Sequence, residues 1–123
     1  MIALGYADAQ PSKSMAISSR ELANICNDFA NTESKNYCDI YGQGVYDAYL
    51  VTRHPSGASE FICVMQPAPV RREVMAQYMD WLSLNHHYDH VPAADSFLRF
   101  LSVRFPCDAA ANVPSSPANK IIR

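Results

Sequence analysis

Four amphipathic stretches, each closed off by a polar, proline-bearing or glycine-bearing break, dominate the pattern of the chain. Residues 1–17 are small, polar and aperiodic. Ser18-Ser-Arg-Glu21 then has the form of a capping box, in which the Ser18 hydroxyl and the Glu21 carboxylate each take a free backbone N–H. A first helix is predicted over about 19–31, with Leu22, Ile25, Cys26 and Phe29 on one face, and Asn31-Thr-Glu-Ser34 interrupts it. A second is predicted over about 35–53, where Cys38, Tyr41, Val45, Ala48, Tyr49 and Thr52 repeat at helical spacing. His54-Pro-Ser-Gly57 ends that helix.

Phe61-Ile-Cys-Val-Met65 is a short apolar run with no partner strand in sight, and it reads as a buried loop leading into a helix. Pro67-Ala-Pro69 supplies the start, because proline is tolerated in a first helical turn. The third helix is predicted over about 69–85, with Val70, Val74, Tyr78, Trp81 and Leu82 facing the core. Arg71, Arg72, Glu73 and Asp80 face water. Asn85-His-His-Tyr-Asp-His90 is a polar, aromatic linker. Pro92 opens a fourth helix that carries Phe97, Leu98, Leu101 and Phe105 as its stripe and stops at Pro106. Residues 108–123 are rich in Ala, Asn, Pro and Ser and read as a loose tail. The fold class expected is all-α: a small bundle of about four helices in one domain over residues 18–107.

Cysteines sharpen this picture. Cys26, Cys38, Cys63 and Cys107 form no C-x-x-C pair, so zinc-ribbon and thioredoxin-like readings fail at once. An even count in a small domain suits two disulfides in an oxidising compartment. Cys26 lies late in the first helix and Cys38 early in the second, and a tight antiparallel hairpin joins those positions. Cys63 lies just before the third helix and Cys107 just after the fourth, which an antiparallel pair places side by side. The pairing expected is therefore Cys26–Cys38 and Cys63–Cys107. Ala7-Asp-Ala9 has the small-residue pattern of a signal-peptidase site, so residues 1–17 read as the remnant of an export signal followed by an arm.

Charge excludes other classes. The net charge is −2, with acids and bases interspersed, which argues against a nucleic-acid binder with a basic face and against a polybasic membrane-surface protein. No apolar run approaches a membrane span. Gly42 and Gly44 have no strand before them and no G-K-[ST] after them, which leaves close helix–helix approach as their reading. His86, His87 and His90, beside Asp89, are open to three readings: a solvated loop, a metal site or a protein-contact loop. There is no H-E-x-x-H, no nucleophile motif and no paired-carboxylate pattern. No catalytic residue, metal or cofactor is expected.

A family likeness then emerges. Cys38-x-x-Tyr41-Gly42-x-Gly44-Val45-x-Asp47-Ala48, Phe61-Ile-Cys63, the Pro67 and Pro69 ahead of a helix, and Phe97-Leu98 through Phe105-Pro106-Cys107 together resemble the Tai/Rap-type immunity proteins of type VI secretion amidases. The likeness covers about residues 20–107. It implies a periplasmic, disulfide-bonded, all-α homodimer without catalytic residues. Such a protein binds a papain-like cysteine amidase that cleaves peptidoglycan, and a protruding segment plugs the groove over the enzyme's Cys and His. Two linkers are long enough to protrude, residues 54–60 and 85–90. The first offers small groups; the second offers Asn85, His86, His87, Tyr88, Asp89 and His90, which can fill a pocket and hydrogen-bond inside it. Residues 85–90 are the expected toxin-binding segment. A periplasmic acid-stress chaperone with a histidine trigger and a metal-binding helical protein are the rival readings.

Overall fold

A computed structural model describes residues 15–28, 30–53 and 60–107. Over these residues the chain is all-α, with four helices and no strand. They are α1 (Ser19–Cys26), α2 (Thr32–Arg53), α3 (Arg71–Ser83) and α4 (Ala93–Arg104), with a 3₁₀ turn at His86–Tyr88 between the last two. Both expected disulfides are present, Cys26–Cys38 and Cys63–Cys107, with Cα–Cα distances of 5.6 and 4.9 Å. Residues 1–14 of the expected leader remnant and arm, 54–59 of the expected 54–60 linker and the 108–123 tail lie outside the described residues, as does Phe29.

The capping box at Ser18 forms: its Oγ accepts from the Glu21 N–H at 3.0 Å, and its own N–H donates to Glu21 Oε1 at 2.9 Å. α1 stops at Cys26, short of the expected 31, and α2 starts at Thr32, ahead of the expected 35. Asn31 explains the early start. Its Oδ1 accepts from the Glu33 and Ser34 N–H groups, so the supposed interruption is the cap and first turn of α2. Val70 does not face the core: it is the residue before α3, extended and 67% exposed, because helical periodicity begins only at Arg71.

The core joins all four helices. Leu22 of α1, Tyr49 of α2, Tyr78 of α3 and Phe97, Phe100 and Leu101 of α4 are buried with Ile62 and Phe105. Phe100 lies off the expected α4 stripe, yet it packs against Tyr78 and Trp81. α2 passes α4 and α3 closely at Gly42, where an added Cβ would stand 2.7 Å from Met75 Sδ and 3.3 Å from Phe97 Cζ. Gly44 has no such neighbour. The Phe61–Met65 run is the loop it was expected to be, with Ile62 buried. The Phe61 and Ile62 N–H groups donate to the Tyr49 hydroxyl, and the Cys63 N–H donates to the Phe105 carbonyl.

One polar feature lies inside this apolar interior. Ser19 and Ser96 are fully buried, their Oγ atoms 2.6 Å apart, and the Tyr78 hydroxyl lies 2.6 Å from Ser96 Oγ. Ser19 Oγ donates onward to the Val91 carbonyl at 2.8 Å. A chain of donors from Tyr78 through Ser96 and Ser19 to Val91 satisfies every hydroxyl, which is the condition for a buried polar group to be tolerated. It also fixes the linker between α3 and α4 to three helices.

Candidate functional site: the α3–α4 linker

Residues 85–90 connect α3 to α4, and several contacts hold them in one shape. Asn85 donates from Nδ2 to the Trp81 carbonyl at 2.7 Å, which closes the end of α3. The Tyr88 and Asp89 N–H groups donate to the carbonyls of Asn85 and His86, giving the tight 3₁₀ turn. The Tyr88 ring stacks on the Trp81 indole, and the Arg99 guanidinium lies 5.9 Å from the Tyr88 ring centroid. Arg99 is itself held by Asp95 at 2.8 Å.

The N-terminal strap supplies the second brace. The Ser19 and Arg20 N–H groups donate to the carbonyls of Val91 and Asp89, and the Ala93 N–H donates to the Ile17 carbonyl. Arg20 also pairs with Asp89 at 2.6 Å, and His86 Nδ1 approaches the same carboxylate at 3.3 Å. The Asp89 side chain is only 13% exposed. Its partial burial pushes its carboxyl up, but the hydrogen bonds and charges of Arg20 and His86 outweigh that and hold it below its ordinary 3.8.

The six residues thus divide into two sets. Asn85, Tyr88 and Asp89 are half-buried and hold the turn in place, while His86, His87 and His90 are exposed. The His87 ring sits 4.2 Å from the Tyr88 ring. Leu84, at the end of α3, is 82% exposed and adds an apolar group to the same projection. Sequence patterning did not bring Arg20, Trp81 or Arg99 to this segment, since nothing along the chain ties α1 to a linker so far downstream.

All four cysteines are in disulfides, which removes the thiol a Cys–His hydrolase needs. Among the described residues, the histidines do not bring three ligand atoms together. The group that does is Glu60, Cys63 and Cys107, whose two sulfurs are bonded to each other. No described helix is long and apolar enough to cross a membrane.

Comparison with known proteins finds one family over most of the chain. The model of the family described as Rap1a immunity proteins matches residues 18–107, which run from the capping box to the last disulfide cysteine. No curated protein and no solved structure matches the chain.

Proposed function

Since the chain belongs to the Rap1a immunity protein family, we propose that it protects its producer by binding a secreted toxin, a papain-like cysteine amidase of peptidoglycan, and covering that enzyme's catalytic groove in the periplasm. The observation that carries this reading is the α3–α4 linker. A cysteine amidase needs its thiolate and imidazole open to an extended peptide. A short turn that is already rigid fills such a groove at low entropic cost. His86, His87 and His90 supply polar tips and Leu84 an apolar one, while Trp81, Arg20 and Arg99 brace the turn from behind.

Two disulfides in a domain this small favour an oxidising compartment, because a core of limited size gains most from staples there. The homodimer uses α2. Tyr37, Ile40 and Val51 are 48%, 61% and 68% exposed along it, and Ile40 borders a groove formed with Ala94 and Leu98 of α4. Light scattering at tens of micromolar checks this, and a monomer there counts against it.

The test of function is inhibition. The protein encoded beside this chain's gene is purified and assayed for cleavage of peptidoglycan peptides, then titrated with this chain. Stoichiometric loss of activity is expected, together with protection of cells that carry the toxin in their periplasm. A folded chain that neither binds nor inhibits that enzyme would overturn the reading.

A further inference from the structure

A cleft of about 140 Å³ enters the bundle between α2, the Val64–Val70 segment and α3, at the opposite end of α3 from the linker. Its walls are Val64, Val74, Met75, Phe97, Leu101 and Phe105, and four of these belong to the buried core. A volume of about 150 Å³ is that of one benzene-sized group. Gly42 lines the cleft where Met75 and Phe97 come close to α2, and the volume is that of a single side chain.

The rim carries the only polar character. Asp39 lines it, but its carboxylate is held by Arg72 at 2.9 Å. Gln43 lines it, with its amide N–H donated to Asp47. Arg71 lines it too, and its guanidinium makes no hydrogen bond or ion pair among the described residues. Its neighbour Arg72 bonds Asp39 and Asn36 of α2 and so has a structural role. Arg71 has none, and it sits in the first turn of α3, where the helix dipole disfavours a cation. An apolar cavity the size of one side chain, beside an unpaired guanidinium, is complementary to an apolar side chain next to a carboxylate.

We infer that this cleft is a second docking point for the toxin, taking one leucine- to phenylalanine-sized side chain while Arg71 pairs with an adjacent Asp or Glu of the same segment. The inference rests on the toxin-binding reading. α3 has 13 residues, so the cleft and the linker lie about 18 Å apart along one rigid helix. A standard interface of about 800 Å² per partner is wide enough to span them.

Two variants of the full chain test it. Ala68 is exposed on the rim, so Ala68→Trp closes the mouth without entering the core, and Arg71→Glu reverses the charge. Each should keep the circular dichroism and melting temperature of the parent and weaken toxin binding at least tenfold. In parallel, 3-phenylpropanoate should shift the methyl resonances of Val64, Val74 and Met75. Its uncharged amide should bind more weakly, and Ala68→Trp should abolish both effects. Unchanged toxin affinity in both folded variants overturns the inference, even if the carboxylate probe binds, since the cleft then takes a small molecule and not the toxin. If the parent chain does not bind the amidase at all, the proposed function falls and this docking point with it. If the parent binds, linker variants weaken binding and cleft variants do not, only the second docking point fails.

Discussion

The ring of Tyr88 lies stacked on the indole of Trp81, centroids 5.0 Å apart and planes 24° from parallel. That contact separates Tyr88 from His87, two residues that the sequence offers alike as groups to fill a pocket. Tyr88 is half-buried and holds the turn, whereas His87 is exposed and free to enter a partner. His87→Ala should therefore weaken toxin binding by about 2 kcal/mol, the threshold of a hot spot, and leave stability unchanged. Tyr88→Ala should lower stability by about 1–3 kcal/mol through lost packing and weaken binding as a consequence. Paired denaturant melts and titration calorimetry measure both. A His87→Ala variant that binds at full strength would move the plug elsewhere.

The two glycines of α2 should respond oppositely to the same substitution. A Cβ at Gly42 would stand 2.7 Å from the Met75 sulfur, with Phe97 close behind it. Gly42→Ala gains about 1 kcal/mol of helix propensity but overpacks the crossing, which costs about 1–3 kcal/mol. A net loss is expected. At Gly44 a Cβ meets nothing, so Gly44→Ala should stabilise the monomer by up to about 1 kcal/mol. Urea melts of both variants check the difference in sign.

Periodicity and cysteine placement made the bundle legible. The four helices, the capping box and both disulfides follow from local rules acting on Ser18, Glu21 and the helix-end cysteines. Boundaries were less legible where a side chain had two uses. Asn31 looks like a breaker in the sequence, and it is a cap in the fold. Val70 looks like a core residue, and it is the exposed residue before a helix. The linker was visible as a segment, but not its bracing. The pairing of Arg20 with Asp89 spans 69 positions of sequence, and no pattern along the chain encodes a contact of that kind.

The staples close loops of different size. Cys26 and Cys38 are 12 residues apart, and Cys63 and Cys107 are 44 apart. By loop-closure entropy, removing the first pair as a double alanine variant should cost about 3 kcal/mol and removing the second about 4 kcal/mol. The second loss should also separate the start of α3 from the end of α4. Denaturant midpoints of the two variants, compared with the parent, decide the order.

The buried hydroxyl chain predicts an alkaline limit to stability. Burial pushes the Tyr78 phenol above its ordinary 10.0, against the hydrogen bonds to Ser96 and Ser19 that lower it. A raised folded value means that this contribution is fully present below the unfolded value and is lost as pH rises through the folded one. Unfolding should set in above about pH 10, with phenolate absorbance rising in step. Tyr78→Phe should move that onset upward. Ser96→Val removes the hydroxyl between Tyr78 and Ser19, leaves Tyr78 only its 3.3 Å bond to the Ala93 carbonyl and Ser19 its bond to Val91, and should cost about 1–3 kcal/mol at neutral pH.

The linker itself should respond to acid in a different range from a histidine trigger. Asp89 is held below its ordinary 3.8 because the hydrogen bonds and charges of Arg20 and His86 outweigh its partial burial. A depressed folded value contributes stability that is present above the unfolded value and lost as pH falls through the folded one. The Arg20–Asp89 pairing that braces the turn should therefore persist from pH 7 down to about pH 4. Below that, protonation removes the carboxylate that joins α1 to the linker, and the amide resonances of residues 85–90 should broaden first. Asp89→Asn should show the looser linker already at pH 7 and lose the acid response. An acid-stress chaperone working through histidines would switch near pH 5–6 instead. Loosening of the linker in that interval, with Asp89→Asn behaving as the parent does, would transfer the control of this segment from Asp89 to its histidines.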